Sequence, residues 1–322
     1  MPFGSAVDEH VPCRYFFIIG SDYVESNPMS GSPRPIPRQR NGTMTQGHTE
    51  LKILSDGTFK IDGGVMFGQI PKGQWQEWMP SDRRNRVKLG LNCLLLRIGT
   101  QNFLVDTGTG GKHTLERRDD FGLVTSQLLS GLKANGLGVQ DIDGVVLSSL
   151  RFEHTGGCTR VNRRGEVVPT FPQATYYVQR EALEEATAPT ERHVDDFIKD
   201  DFVPLFDKGR LHLVDGEHTI APGFFVRRAS GPAEGHQIAV ITHGGERVAF
   251  LGDLVPTPFH LQLACISASD RHPEETLQTK RAVLSEAVRD GWLLIFSHGV
   301  NERAGYLENR SGRLYLRPVT LE

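Results

Sequence analysis

Five patches of this chain set aspartate, histidine and glycine at the ends of β-type runs, and that recurrence constrains the fold more than any other feature. In order they are Phe103-Leu104-Val105-Asp106-Thr107-Gly108, the segment Val145 to Gly157, the segment Ser230 to His236, Phe250-Leu251-Gly252-Asp253, and Phe296-Ser297-His298-Gly299. A lone Gly-Asp or His-Gly carries no information. Five such patches, each ending a β run, bear on the fold together.

Strands and helices alternate around these patches. Thr58 to Asp62 alternates like a strand and stops at Gly63-Gly64. Asn92 to Ile98 and Asn102 to Asp106 predict a hairpin around Gly99-Thr100-Gln101, and Gln237 to Thr242 with Arg247 to Leu251 a second around Gly244-Gly245. Leu123 to Leu132 places Leu123, Val124, Leu128, Leu129 and Leu132 on one helical face, with Gly136 as a stop. Short strands are expected at Gly144 to Leu147, Thr175 to Val178, Arg210 to Val214, Phe224 to Arg228 and Trp292 to Phe296, with an edge strand at Arg313 to Arg317. A helix follows Val178 through Glu185, and Pro273 to Asp290 reads as a longer one, opened by Pro-Glu-Glu and closed by Gly291. Before all this, residues 1–49 form a Pro-, Ser- and Arg-rich arm, and residues 50–322 a single domain. Met44 is an alternative start, since patterned sequence begins only near Glu50.

Bulk properties exclude several classes. With 38% hydrophobic and 23% charged residues among 322, the chain suits a globular protein with a full core. A net charge of −3 gives no electrostatic case for a nucleic-acid or membrane partner. No apolar run approaches the ~20 residues of a membrane span. Cys13, Cys93, Cys158 and Cys265 lie far apart without metal spacing, as expected of reduced thiols in a cytoplasmic protein.

The second patch, Ser149-Leu150-Arg151-Phe152-Glu153-His154-Thr155-Gly156-Gly157, resembles the H-x-H-x-D-H-x-G-G loop of the metallo-β-lactamase superfamily. The other four patches resemble that family's strand-D-T-G, T-P-G-H, G-D and final histidine segments in order and spacing, from about Glu50 to Pro318. The resemblance implies an α/β fold, the four-layer αββα sandwich of that superfamily. Asp62 to Gly68, Asn92 to Leu95 and Gly252 to Thr257 are most similar to the branch of quorum-quenching lactonases and related ester hydrolases. Those lactonases carry a tyrosine three residues after the bridging aspartate, where this chain has Pro256.

In the family, the two leading histidines hold one zinc ion and the Asp-His pair the second. Here those positions are Ser149, Arg151, Glu153 and His154, so the motif is degenerate. The ligands carried over are Glu153, His154, His236, Asp253 and His298, with Asp106 supporting them from behind. Removing two histidines leaves the first site His236 and a share of Asp253, too few for a tight site. The second retains two nitrogens and two carboxylates, enough for one zinc ion with bonds near ~2.0–2.2 Å. Catalytic roles fall to Asp253, Arg151 and His236, the last two as stabilisers of an oxyanion. Two placements of Arg151 stay open: inward, as a substitute for the lost cation, or outward into solvent.

Each residue also has a plainer reading. Asp106 and Asp253 are common turn formers, and an isolated His236 or His298 is more often a satisfied buried histidine. Trp75 and Trp78 are core packing before they are a lid. His260 lies close enough after Asp253 to reach the pocket rim, without motif support, and His243 and His272 also lack it. Ser149 is a nucleophile only with His154 or His236 in reach. The expected activity is metal-dependent hydrolysis of a small ester or lactone. The alternatives are a non-hydrolytic relative that binds or transforms a small acidic metabolite in biosynthesis or sensing, and a metal-independent isomerase or lyase. The partner is a small-molecule substrate, and a homodimer is left open.

Overall fold

The computed structural model describes residues 17–18, 49–112, 114–310 and 313–321. Two sheets form the frame. The first has six strands in the order Thr49–Asp62, Arg86–Ile98, Gln101–Val105, Gly144–Val146, Thr175–Gln179, Leu211–Val214. The second has eight, running Phe17–Ile18, Arg313–Val319, Ala304–Arg310, Leu293–Ile295, Glu246–Phe250, Gln237–His243, Phe224–Arg228, His218–Ala221.

The alternation of side chains along Arg86–Ile98 shows how the layers assemble. Leu94 and Leu96 point between the sheets and meet Phe224, Ala239 and Phe250 of the other. Cys93 and Leu95 point the opposite way, onto Leu128, Leu132, Phe202 and Leu205 from the helices Leu128–Ala134 and Lys199–Asp207. On the far face of the second sheet, Val283, Leu284 and Ala287 of the helix Pro273–Asp290 cover Val240, Ala249 and Leu294. The result is the expected αββα sandwich, because each sheet buries both faces.

Most sequence expectations for elements hold. The hairpin between Gln237–His243 and Glu246–Phe250 closes through Gly244 and Gly245, both at positive φ (58° and 85°), the backbone that a two-residue turn demands. The helix Pro273–Asp290 ends at Gly291 in the left-handed conformation. One helix differs. Leu123 to Gln127 is not helical, and Val124 and Leu129 are exposed while Leu123, Leu128 and Leu132 are buried. The buried Asp56 carboxylate decides the start, accepting the N–H groups of Gln127 and Leu128 and of Gly110 as well. Arg313–Val319 is not an edge, since Phe17–Ile18 pairs with it. The rest of the expected arm, including Met44 and Cys13, lies outside the described residues except for Thr49. Among those described, no helix is long and apolar enough to cross a membrane.

Candidate metal centre

Parallel pairing gathers the patches. Gln101–Val105 runs parallel to Gly144–Val146, and Glu246–Phe250 to Leu293–Ile295, so each pair releases its C-terminal turns on one side. Backbone and side-chain bonds stitch the two rims together. Gln237 N–H donates to Ser148 O (2.9 Å), and Asn92 Nδ2 donates to Phe296 O and Gly299 O (2.9 and 2.7 Å).

Asp106 organises the first rim. It adopts φ 57°, a left-handed backbone unusual outside glycine, and its carboxylate accepts Ser148 N–H and Ser148 Oγ–H (both 2.7 Å). The same carboxylate lies 2.7 Å from His154 Nδ1, which fixes that imidazole on the helical turn Phe152–Thr155. On the second rim, His298 Nδ1 donates to Gly90 O (2.9 Å). Both rings therefore turn Nε2 toward Asp253: His154 Nε2 lies 3.2 Å from Oδ2, and His298 Nε2 3.2 Å from Oδ1. The donor atoms of His154, Asp253 and His298 all lie within 4.8 Å of one another.

With Nδ1 of each ring committed as a donor, a neutral imidazole presents only an Nε2 lone pair to a carboxylate. Buried His154 Nε2 makes no aligned hydrogen bond to any described residue. Two lone pairs facing an anion need positive charge between them. Without a metal, a proton on His154 supplies it. Burial opposes charge on His154, but Asp253 and Asp106 outweigh it and hold the imidazole well above its usual value. Burial likewise opposes ionisation of Asp253, and the two histidines override it, holding the carboxyl well below its ordinary range. Two imidazole nitrogens and a carboxylate are also the donor set that suits a zinc-type ion, with its proton displaced on binding.

The model of the metallo-beta-lactamase superfamily matches residues 87–298, about two thirds of the chain. The chain belongs to this superfamily. No protein of curated function matches it in sequence. Among solved structures it is similar to a probable metal-dependent hydrolase from Staphylococcus aureus, at 24% identity and TM-score 0.76, covering 86% of this chain and 100% of that one. It is also similar to AbOPH, a hydrolase in the beta-lactamase superfamily (21% identity, TM-score 0.70, 86% and 98% covered). A third is AidC, a dizinc quorum-quenching lactonase (18% identity, TM-score 0.71, 87% and 97% covered). At these identities the likeness speaks for the fold.

Three positions differ from the superfamily's loop: Ser149, Arg151 and Glu153. Ser149 Oγ accepts the Arg151 N–H (3.2 Å) and shapes the turn, and it makes no hydrogen bond with His154 or His236. Arg151 points inward and is only 5% exposed. Its Nη2 donates to Pro232 O and Ser269 O (3.0 and 2.7 Å), Nη1 lies 3.7 Å from Asp253 Oδ2, and Nε lies 3.6 Å from Asp196 Oδ2. Glu153 lines the same cleft but stands outside the close group of three donors. Burial pushes its carboxyl up, against the pull of His154.

His236 is placed differently from the expectation. Its Nδ1 donates to Ala229 O (2.9 Å) and its Nε2 accepts the Asp253 N–H (3.0 Å), so both nitrogens are spent on backbone. Burial brings it down to about 4, a neutral ring that holds the Asp253 turn. The contact is close enough to require Gly252 at φ 53°, since a Cβ there would stand 2.5 Å from His236 Nε2. The ring is thus not in the three-donor group. Asp196, Ser269 and Asp270, which surround Arg151, carried no motif in the sequence. They reach Arg151 from segments far apart in the chain.

Trp75 is 2% exposed and stacks on Phe67. Trp78 stacks on Phe259 and lines a neighbouring cleft. Cys158 is buried beside Thr107 Oγ1, with its thiol pushed up to about 12 by burial. His260 does not reach the three donors. It donates from Nε2 to Met66 O (3.0 Å) and accepts at Nδ1 from the Thr257 hydroxyl (2.8 Å).

His260 makes a pH prediction. Burial, aided by Lys280, lowers it from 6.5 to about 3, so the folded ring stays neutral where the unfolded one is protonated. The unfolded state then binds the extra proton, and stability falls as pH drops below 6.5, by about 3 kcal/mol at about pH 4.5. Urea unfolding across that range should show this slope, reduced in His260→Gln. An unchanged slope in the variant would contradict the assignment.

Proposed function

We propose that the chain is a metal-dependent hydrolase of a small ester or lactone, working at His154, Asp253 and His298. The observation that carries the reading is the pair of Nε2 lone pairs held against one partly buried carboxylate, an arrangement that calls for a cation. A zinc ion bound there would supply a water acidic enough to attack near neutral pH and a Lewis acid for the carbonyl.

The side chains do the rest. Asp106 and Gly90 O hold the two imidazoles in their ligating orientation. The cleft at Asp253 is small, about 40 Å³, with Phe59 and Leu89 on its apolar side and Arg151 and Glu153 on its polar side. That admits a few atoms of the reacting group. A second cleft of about 240 Å³ shares His298 and carries Trp78 and Phe259, with room for the rest of a compact substrate. In hydrolysis the water oxygen bonds to the acyl carbon and the carbonyl π pair moves onto oxygen. Its return breaks the bond to the alcohol oxygen, which receives the proton lost by water. Glu153, with its carboxyl raised by burial, is the group in the cleft suited to hold that proton. Buried, unpaired Cys93, Cys158 and Cys265 support a cytoplasmic setting.

Elemental analysis of protein prepared without added zinc, followed by a panel of lactones and aryl esters, tests this reading. Bound divalent metal and turnover abolished by chelator and restored by zinc are expected. A metal-free chain with no chelator-sensitive turnover would overturn it. The second reading, a binder of small acidic metabolites, is favoured by one observation, the inward guanidinium of Arg151. It would show as carboxylate binding that survives chelation.

A further inference from the structure

We propose that Arg151 is a built-in second cation: the chain holds one divalent ion, at His154, Asp253 and His298, and the Arg151 guanidinium replaces another. The inference rests on the metal-dependent reading above and goes beyond it to the number of ions and the partner of the substrate oxygen.

Three observations carry it. The first is the anchoring of the guanidinium. Two backbone carbonyls, Pro232 O and Ser269 O, hold Nη2, and Asp196 faces Nε. These contacts come from separate segments of the chain, so the group cannot swing away without breaking several at once. The second is its position on the shared carboxylate. Asp253 Oδ2 lies 3.2 Å from His154 Nε2 and 3.7 Å from Arg151 Nη1, so one oxygen serves a ligating ring on one side and a fixed positive charge on the other. The third is that, among the described residues, neither Ser149 nor His236 offers a free donor to another ion on the Arg151 side. Ser149 Oγ is engaged by the Arg151 N–H, and His236 has spent both nitrogens on Ala229 O and the Asp253 N–H. A second dication there would meet a like charge and no nitrogen from His236.

The charge balance agrees. Asp253 and Asp196 lie within ion-pair reach of the guanidinium, and Glu153 and Asp270 line the same cleft. A guanidinium cannot ligate a metal, but it donates in a planar fork to oxygen. Arg151 lines the cleft beside Glu153, Asp253 and His298. There it faces the carbonyl oxygen of an ester or lactone as negative charge develops on it. The substrate class follows: a carbonyl compound whose oxygen Arg151 would meet, with Lewis-acid chemistry supplied by the single ion that His154, Asp253 and His298 would hold.

The test is a count of ions, with a kinetic arm. Chelator-stripped protein is titrated with cobalt(II), followed by visible absorption, and metal per chain is measured after gel filtration. The wild type is expected to saturate at one equivalent, and the double variant Ser149→His with Arg151→His at two. A wild type that takes two equivalents overturns this inference and leaves the metal-dependent reading standing. A wild type that takes none overturns that reading instead. In Arg151→Gln, removing the neighbouring positive charge should tighten cobalt binding by about tenfold. It should lower kcat by about 10²–10³-fold, the loss expected when an oxyanion donor is removed. Weaker cobalt binding, or undiminished kcat, would contradict the proposed role. If Arg151→Gln does not fold, Arg151→Lys keeps the charge while losing the fork. One equivalent of cobalt with reduced kcat then supports the inference, and two equivalents count against it.

Discussion

Asp253→Asn should strip the site of metal and reduce kcat/KM by at least about 10³-fold. The side chain keeps its shape, so the loss is of charge. Asp253 stands between His154 Nε2, His298 Nε2 and Arg151 Nη1 at 3.2, 3.2 and 3.7 Å, and is the only carboxylate among the three clustered donors. An amide cannot balance a dication, and it leaves Arg151 leaning on Asp196 alone among its close ion pairs. The His236 bond should persist, because it uses the backbone N–H of Asp253. Circular dichroism should therefore show a folded chain, while elemental analysis shows no bound metal. Retention of a full complement of metal would mean that Asp253 is not a ligand.

The second large effect is expected on stability. Asp106→Ala removes acceptors for Ser148 N–H, Ser148 Oγ–H and His154 Nδ1, all at 2.7 Å in a site with 2% exposure. Charge-assisted bonds of this kind contribute about 1.5–3 kcal/mol each, and they are not additive when they share one carboxylate. The backbone adds to the loss, since alanine at φ 57° costs roughly 1–2 kcal/mol. A total of about 3–5 kcal/mol is expected in urea unfolding of the metal-free protein. Asp106→Gly separates the two causes. Glycine tolerates the left-handed backbone, so it should be the less destabilised variant by about 1 kcal/mol. In either variant His154 loses the partner that orients it, and zinc affinity should fall about 10–100-fold. Equal stabilities for the two variants would remove the backbone from the explanation, and unchanged zinc affinity would remove the orienting role.

The framework was legible because strand ends are written locally. An apolar run followed by Asp-Thr-Gly or His-Gly needs no distant information, and parallel pairing then brings the turns after Val105 and Val146, and after Phe250 and Ile295, to common rims. His154, Asp253 and His298 follow from that geometry. What was not legible depends on partners far along the chain. Arg151 is turned inward by carbonyl oxygens 81 and 118 residues away, and a carbonyl leaves no mark in a sequence. His236 sits at the expected patch, but the N–H of Asp253 has claimed its Nε2. The early helix boundary failed for a similar reason. Leu123 and Val124 continue the apolar pattern, yet the Asp56 carboxylate accepts the N–H groups of Gln127 and Leu128 and fixes the first turn there.

Crystals soaked in zinc, with diffraction recorded on both sides of the zinc absorption edge, put the site to direct trial. One anomalous peak is predicted, bonded to His154 Nε2, His298 Nε2 and the Asp253 carboxylate, with the Arg151 guanidinium in place beside it. No peak at that position, or a second peak where Arg151 has swung out, would contradict it.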